Sequence, residues 1–436
     1  NPLLHHKVRE FDTQRRVFEQ ITVASAALED PDTAFAEIDR VLHAALRYKR
    51  PVYLELPRDL IAKPGRPGHQ PRQHHETSDP AVLQEALAEA VAWINSARQP
   101  VVLADVEVHR FGLHDELVRF IERAHLPVAA TILGKSVLSE QHPLYLGVYE
   151  GAMGRDDVRA YVESSDCVIL LGAFLTDINL GIYTAHLDMG KAIYATSEKL
   201  AIRHHSFENV RFKDFLRGLI GSDLLKHPDG PRPAPPRPRE FLPGAADAPV
   251  TITRLFERMN EYLDDHTIVI ADVGNALFGA SDLLIRHRTE FLGPAYYASM
   301  GFAMPAALGA QLARPDLRPL VIVGDGAFQM TGMELGTIAR FGLNPVVLVL
   351  NNTGYGTERH LHDGPFNDVA NWNYHRLPEV FGVGRSFLVR TELELDRALD
   401  EARRHTDSYC LIEVRLDPFD KSAALGRLAE RLSGKI

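Results

Sequence analysis

Short apolar runs alternate with amphipathic segments through the middle of the chain. Four runs have the length of strands and are apolar throughout: 101–104, 128–131, 167–171 and 192–195. Between them, segments 82–94 and 113–124 carry apolar residues at helical spacing. Strands that are apolar on both faces, separated by amphipathic helices, predict a parallel sheet covered by helices on both sides.

The last part of the chain repeats this alternation, and the first part does not. Strands are predicted near 268–271, 320–323, 346–350 and 410–414. Residues 1–61 hold one helical pattern, 31–48, and one strand, 51–56. One helix and one strand cannot close a core. We therefore expect residues 1–61 to be the C-terminal part of a domain whose beginning is absent.

Two segments rich in proline separate these parts. Residues 62–79 contain Lys-Pro-Gly-Arg-Pro-Gly-His, and residues 227–249 contain Pro-Arg-Pro-Ala-Pro-Pro-Arg-Pro. Proline removes a backbone donor and favours extended geometry, so both segments are predicted to be linkers. The predicted organisation is an incomplete first domain (1–61), a linker (62–79), a middle α/β domain (80–226), a second linker (227–249) and a last α/β domain (250–436).

Composition and charge narrow the function classes. The 436 residues are 45% hydrophobic and 24% charged, with a net charge of −10 and no long basic run. Nucleic acid and anionic membranes are therefore not expected partners. Cys167 and Cys410 lie in apolar runs, which favours reduced core residues in a cytoplasmic protein. No apolar run has the length needed to cross a bilayer.

Two polar motifs follow two predicted strands of the last domain. Val-Gly-Asp-Gly (323–326) ends one apolar run, and Leu-Asn-Asn (350–352) ends the next, with a helix-like segment at 332–341 between them. The carboxyl ends of parallel strands share one edge, where such sheets bind ligands. Asp325 and Asn352 offer oxygen donors of the kind that Mg²⁺ prefers, and Gly326 and Gly354 allow close approach of backbone to a phosphate. Each motif alone is also typical of an ordinary surface turn.

Together the two motifs resemble the GDG…NN motif of thiamine diphosphate (ThDP) enzymes. The resemblance runs from Leu-Leu-His-His (3–6) to the C-terminal segment and is greatest to the 2-keto acid decarboxylases. It implies ThDP and Mg²⁺ as cofactors and a three-domain α/β architecture of doubly wound parallel sheets with the first domain incomplete. It also implies a small-molecule 2-keto acid substrate.

The resemblance also implies a set of cofactor-binding positions. Asp325, Asn352 and the carbonyl of Gly354 would hold the metal, and Met300 would wedge beneath the cofactor and bend it. The cofactor-binding positions that the resemblance implies are Asn275, Ser299, Met300, Gly324, Asp325, Gly326, Ala327, Asn352, Gly354 and Tyr355.

Three positions are implied to act on the substrate. His5, His6 and Glu358 match decarboxylase residues that move protons, and burial of Glu358 would raise its pKa. Leu277 and Thr357 would shape the substrate pocket. The pair of histidines favours non-oxidative decarboxylation of indolepyruvate, phenylpyruvate, pyruvate or a branched-chain keto acid to the aldehyde and CO₂.

Two alternatives remain open at this point. Relatives carry a cofactor-activating glutamate early in the first domain, and we expect this chain to start after that position. One alternative is therefore an inactive fragment that lacks this glutamate. The other, independent of it, is a ThDP-dependent carboligase of the acetolactate synthase type. The resemblance further implies a dimer or tetramer, with apolar surface exposed on residues 1–61.

Overall fold

The computed structural model describes residues 10–70, 77–287 and 290–433. His5 and His6 lie outside the described residues. Within the described ranges the strands form sheets of two, seven and six strands. The strands are β1 (Ser25–Ala27), β2 (Tyr53–Glu55), β3 (Pro100–Ala104), β4 (Val128–Ala130), β5 (Tyr145–Val148), β6 (Cys167–Leu171), β7 (Ala192–Ala195), β8 (Leu200–Ile202), β9 (His205–Phe207), β10 (Thr267–Ala271), β11 (Phe291–Leu292), β12 (Arg318–Gly324), β13 (Val346–Asn351), β14 (Arg385–Val389) and β15 (Cys410–Arg415).

Helices flank all three sheets. They are α1 (Thr13–Glu19), α2 (Ala34–Tyr48), α3 (Pro80–Ser96), α4 (Val106–Arg110), α5 (His114–Ala124), α6 (Asp156–Glu163), α7 (Phe212–Gly221), α8 (Ile252–Tyr262), α9 (Asn275–Ala280), α10 (Ala303–Ala313), α11 (Asp325–Thr331), α12 (Leu335–Arg340), α13 (Gly356–Arg359), α14 (Leu377–Phe381), α15 (Glu392–Arg404) and α16 (Ala423–Ser433). Among these residues, no helix is long and apolar enough to cross a membrane.

The seven-stranded sheet of the middle domain has the order β5-β4-β3-β6-β7-β8-β9. Its first five strands are parallel, which confirms the four strands predicted here, and β8 and β9 are antiparallel. The β8–β9 hairpin was not predicted because its strands have three residues each and polar residues join them.

The six-stranded sheet of the last domain is entirely parallel, with the order β11-β10-β12-β13-β15-β14. Alternate residues of β12 enter opposite cores: Leu320 and Ile322 pack on one side, and Val321 and Val323 on the other. Helices therefore cover both faces, as the apolar strands predict. This is the doubly wound α/β fold class expected from the sequence. Strand β14 was missed because it is a half-exposed edge strand.

The helix after the first glycine-rich motif begins earlier than predicted. The sequence predicts helix at 332–341, whereas α11 already begins at Asp325, and a 3-10 turn at Gly332–Glu334 separates it from α12. The predicted segment starts too late because Gly326 and Gly332 weaken the apolar periodicity that marks a helix.

The first described segment contains more structure than the sequence predicts. Strand β1 pairs in parallel with β2, and α1 and α2 pack beside them. Several of its apolar side chains are largely exposed, among them Val17, Ile21 and Leu46. Strand β1 was missed because three small residues, Ser-Ala-Ala, carry no periodic signal.

The middle and last domains share one hydrophobic core. Ile132, Ala152 and Met153 of the middle domain are fully buried within the cluster formed by α8, α9 and the strands of the six-stranded sheet. The 3-10 turn Gly151–Met153 packs against α16 in particular. This shared core fixes the loops of the middle domain against the strand ends of the last domain.

Candidate functional site at the strand ends of the last domain

A cavity of about 360 Å³ opens at the carboxyl ends of β12 and β13. These strands are neighbours in register, with Val323 opposite Val349 and Gly324 opposite Leu350. The two polar motifs that follow them therefore meet. The cavity is lined by eleven of the predicted site residues: Asn275, Met300, Gly324, Asp325, Gly326, Ala327, Asn352, Gly354, Tyr355, Thr357 and Glu358.

Asp325 is the only carboxylate that the two motifs supply. Its side chain is 2% exposed, and burial raises its pKa to about 6. Backbone hydrogen bonds to the carboxylate partly offset this rise: the N–H of Gly326 donates at 2.7 Å, and the N–H groups of Thr353 and Gly354 donate from the other motif. The carboxylate that follows β12 is thus held partly by backbone N–H groups of the loop that follows β13.

Glycines let the two loops pack this closely. A Cβ at Gly326 would lie 2.4 Å from the ring of Tyr355, and one at Gly354 would lie 2.5 Å from the carbonyl oxygen of Asn367. A Cβ at Gly356 would lie 2.5 Å from Asn352 Nδ2. Side chains at these positions would displace the groups that line the cavity.

The donor groups at this edge fit a hard divalent cation and an anionic tail. Asp325 and Asn352 offer carboxylate and amide oxygens, and Gly354 offers a carbonyl, which is a set that Mg²⁺ completes with water and phosphate oxygens. Nowhere in the described ranges do three or more His, Cys, Asp or Glu side chains form a metal-binding group. A site with one carboxylate is compatible with that finding.

Met300 enters the cavity from the segment that precedes α10. Asp272, fully buried at the end of β10, holds this segment: its carboxylate accepts the N–H of Gly301 at 3.2 Å and of Ala303 at 2.8 Å. Gly301 has a φ of +84°, which favours glycine. Ser299 is exposed and does not line the cavity, so its assignment stays a prediction.

Asn275 begins α9 and ties the cavity to the C-terminal segment. Its Oδ1 accepts the N–H of Ser422 at 2.9 Å, and its Nδ2 donates to the carbonyl of Asp420 at 3.3 Å. Leu277, two residues on, faces away: it is fully buried in the core and is not part of the cavity lining. Its role in the substrate pocket stays a prediction.

Glu358 lines the cavity at its rim and is exposed. The expected burial of this side chain is therefore not found. The physical reason is its position on α13, a four-residue helix in which only Gly356 is buried. Thr357, its neighbour, faces the cavity, and its Oγ1 would lie 3.2 Å from a Cβ at Gly274.

Several cavity residues were missed from the sequence. Ile178 and Ile182 reach the cavity from the loop after β6 in the middle domain. Asn179 anchors that loop, because its Nδ2 donates to Asp105 Oδ2 at 2.7 Å and its Oδ1 accepts the N–H of Leu133 at 3.0 Å. No local pattern marks these isoleucines, since only the packing between domains brings them to the cavity. The C-terminal domain adds further apolar residues at Ile252, Phe278, Leu361 and Leu416.

Two domains of this chain match the domain models of one family of enzymes. Residues 272–414 match the model of the C-terminal TPP-binding domain of thiamine pyrophosphate enzymes, and residues 87–209 match the model of their central domain. An indole-3-pyruvate decarboxylase of Azospirillum brasilense is 35% identical over 98% of this chain and 78% of its own length. An alpha-keto-acid decarboxylase of Mycolicibacterium paratuberculosis is 35% identical over 95% of this chain and 74% of its own. One from Mycobacterium tuberculosis is 33% identical over 98% and 77%.

Proposed function

Because the chain belongs to the thiamine diphosphate-dependent 2-keto acid decarboxylase family, we propose that it releases CO₂ from a 2-keto acid with an apolar side chain and yields the aldehyde. The observation that carries this proposal is the convergence of Asp325, Asn352 and Gly354 at adjoining strand ends beside a mainly apolar cavity. The candidate substrates are indolepyruvate, phenylpyruvate, pyruvate and branched-chain keto acids.

The residues divide into an anchoring group and a group that faces the substrate. Asp325, Asn352 and the Gly354 carbonyl would hold Mg²⁺, and the diphosphate would lie against the backbone of Gly326 and Ala327. When bound, ThDP supplies an electron sink for the loss of CO₂. A polar anchoring group beside mainly apolar walls suits a cofactor with a charged tail and an organic ring system.

The substrate-facing residues orient the acid and handle protons. Met300, held by Asp272 through the backbone, would support the cofactor from below. Glu358 at the rim, in its protonated form, would donate a proton to the product carbon. We propose that His5 and His6 also take part in proton transfer. Ile178, Ile182 and Thr357 present mainly apolar surface, which favours an apolar substrate side chain and excludes water.

The direct test is aldehyde production by the purified chain with ThDP and Mg²⁺. Each of the four keto acid classes is supplied, and CO₂ and aldehyde are measured together. We expect one class at least to be turned over, and Asp325→Ala to abolish turnover together with calorimetric ThDP binding. Asp316→Ala, an exposed acid on a loop away from the cavity, is the matched control and should behave as the parent. ThDP binding that is unchanged in Asp325→Ala and needs no metal would contradict the proposal.

Product analysis separates the two remaining alternatives. A carboligase would form an acetohydroxy acid in place of the free aldehyde. An inactive chain would bind ThDP and release no CO₂ from any of the four keto acid classes.

We also propose that the chain acts as a cytoplasmic homo-oligomer, a dimer or tetramer. The support for self-association is a set of exposed apolar side chains on the last domain: Tyr297, Leu312, Met330, Met333 and Phe341. Light scattering on the parent and on Met330→Glu tests this, and a monomeric parent would contradict it. The support for a cytoplasmic location is that both cysteines are buried and unpaired.

A further inference from the structure

Thr353 lies between two of the proposed metal-binding positions and has an unusual backbone conformation. It joins Asn352 to Gly354, and its φ is +61°. A β-branched residue rarely adopts this left-handed conformation, because its side chain crowds the backbone there. Such a conformation persists only where the surrounding structure holds the residue in place. The contacts of Thr353 therefore decide how its two neighbours are oriented.

Backbone hydrogen bonds fix this loop on two sides. The N–H of Thr353 donates to the Asp325 carboxylate, and its carbonyl accepts the N–H of Val369 at 3.2 Å. The hydroxyl of Thr353 donates to the carbonyl of Asn352 at 2.7 Å, which is a contact within the loop itself. A carbonyl oxygen has two lone pairs, so Thr353 can accept a second donor beside Val369.

Arg359 supplies that second donor. Its Nη2 donates to the carbonyl of Thr353 at 3.3 Å and to Asp368 Oδ1 at 2.6 Å, and its Nη1 donates to Asp363 Oδ1 at 2.8 Å. A Cβ at Gly354 would lie 2.5 Å from the same Nη2 and 3.0 Å from Cζ. The guanidinium therefore contacts both Thr353 and the backbone of Gly354.

The guanidinium of Arg359 is itself held in place. The side chain is 8% exposed, and its Cζ lies 6.0 Å from the centre of the Phe419 ring. Its partners Asp363 and Asp368 are both exposed acids. Because these two carboxylates balance its charge, Arg359 can lie behind a loop that binds a cation without repelling that cation strongly.

We infer that Arg359 is a positioning residue for the metal ligands. It keeps Thr353 in the left-handed conformation and so directs the Asn352 side chain and the Gly354 carbonyl toward one cation. Arg359 does not line the cavity, so it acts through the loop and not on the substrate. That the loop binds a metal rests on the function proposed above, whereas the support that Arg359 gives the loop does not.

Amide hydrogen exchange in the ligand-free chain tests this support directly. Arg359→Met keeps an unbranched side chain and removes the three hydrogen bonds, and the exposed partner acids can be hydrated, so the fold should be retained. We expect the amides of Thr353 and Gly354 to exchange at least about tenfold faster than in the parent. Arg376→Met removes an exposed arginine that pairs with Glu379 outside the cavity, and it should match the parent.

Calorimetric titration of ThDP at a series of Mg²⁺ concentrations tests the consequence for the metal. Arg359→Met should require at least about tenfold more Mg²⁺ than the parent for the same ThDP affinity. Arg359→Lys keeps the charge but lacks the planar group that bonds Thr353 and both acids, so it should recover only part of this loss. If Arg359→Met does not fold, Arg359→Lys serves for both measurements.

A double-variant cycle separates positioning from a general loss of stability. Glycine adopts the left-handed conformation without strain, so the loop of Thr353→Gly should depend less on its support. The loss of Mg²⁺-dependent ThDP affinity caused by Arg359→Met should therefore be smaller in Thr353→Gly than in the parent. A role through charge or overall stability alone would give equal losses in both backgrounds.

Unchanged exchange at Thr353 and Gly354 in Arg359→Met would overturn the inference, whether or not the chain binds ThDP. Equal losses in the two backgrounds would overturn it as well. Absence of ThDP binding by the parent is a different result: it would contradict the proposed function, and the role of Arg359 toward a metal would fall with it.

Discussion

Two buried aspartates at neighbouring strand ends hold different loops. The carboxylate of Asp272 accepts hydrogen bonds from the backbone N–H groups of Val273, Gly301 and Ala303, so it positions the segment that contains Met300. Asp325 instead joins the two polar loops and lines the cavity. Only the second acid lines the cavity, which is why we propose Asp325, and not Asp272, as the metal ligand.

Asp325→Asn should separate the effect of this buried charge on the stability of the metal-free protein from its role in ligand binding. Burial raises the pKa of Asp325 from 3.8 to about 6, so the metal-free parent loses stability as the pH rises between these values. The amide does not titrate, and above pH 6 the metal-free variant should be more stable by up to about 3 kcal/mol. Thermal melts at pH 5 and pH 8 measure this.

The same variant should lose the stabilisation that Mg²⁺ and ThDP give the parent. Melts at pH 8 with and without both ligands form the comparison. A ligand-induced rise in melting temperature equal to that of the parent would show that Asp325 does not bind the metal.

Gly356→Ala tests the close packing of the two loops. The new methyl would lie 2.5 Å from Asn352 Nδ2 and 3.2 Å from Asn275 Nδ2. We expect ThDP affinity to fall at least about tenfold, because two cavity side chains must move. Gly309→Ala is the control: it lies exposed within α10 with no heavy atom within 4 Å of its Cβ, and it should stabilise the fold by roughly 0.5–1 kcal/mol. Unchanged ThDP binding in Gly356→Ala would argue against this geometry.

The sequence predicts those site residues that directly follow a recognisable strand pattern. Asp325 and Asn352 each follow a long apolar run, so their shared location follows from strand order alone. Ile178 lacks such a signal, because its position at the cavity depends on contacts between segments far apart in sequence. The exposure of Glu358 could not be predicted either, since it depends on what covers α13.

Elements with continuous apolar or amphipathic patterns were predicted to within one to three residues. Strands β6 and β7 match their predicted bounds, and β13 extends one residue further. Short elements such as β1 and the β8–β9 hairpin were missed, because three residues are too few to establish a period. The loop between β6 and β7 also gave no signal, although it contributes to the cavity.

Asn179→Ala should loosen that loop. Its side chain is fully buried and bonds Asp105 Oδ2, the Phe174 carbonyl and the Leu133 N–H, so its removal should cost roughly 1–3 kcal/mol. Because Ile178 and Ile182 then lose their fixed position, KM for a large keto acid should rise more than kcat falls. Asn95→Ala removes a half-buried asparagine with comparable backbone bonds that does not line the cavity, and it should leave both constants unchanged. Identical KM values in the parent and Asn179→Ala would refute this role.

On the scale of the whole molecule, the middle and last domains fold around one core. Met153 is fully buried among residues of the last domain, and its carbonyl accepts Arg427 Nε. Domains that share a core lose it together. They are therefore expected to unfold as one unit, unlike domains joined only by a linker.

Scanning calorimetry should show a single transition for these two domains. Met153→Ala should lower its midpoint without splitting it, at a cost of roughly 2–5 kcal/mol. Met189→Ala, a methionine of the middle domain that is substantially exposed, serves as the control. Two well-separated transitions in the parent would show that the shared core does not couple the domains.

The shared core also limits how such proteins can be recombined. A chimera that takes its middle domain from a relative would bring foreign side chains to the positions of Ile132, Ala152 and Met153. Those side chains would have to fit a wall built by the recipient. A crossover in the proline-rich linker would therefore join the two sequences at an exposed segment, yet it would combine side chains from two different proteins within one hydrophobic core.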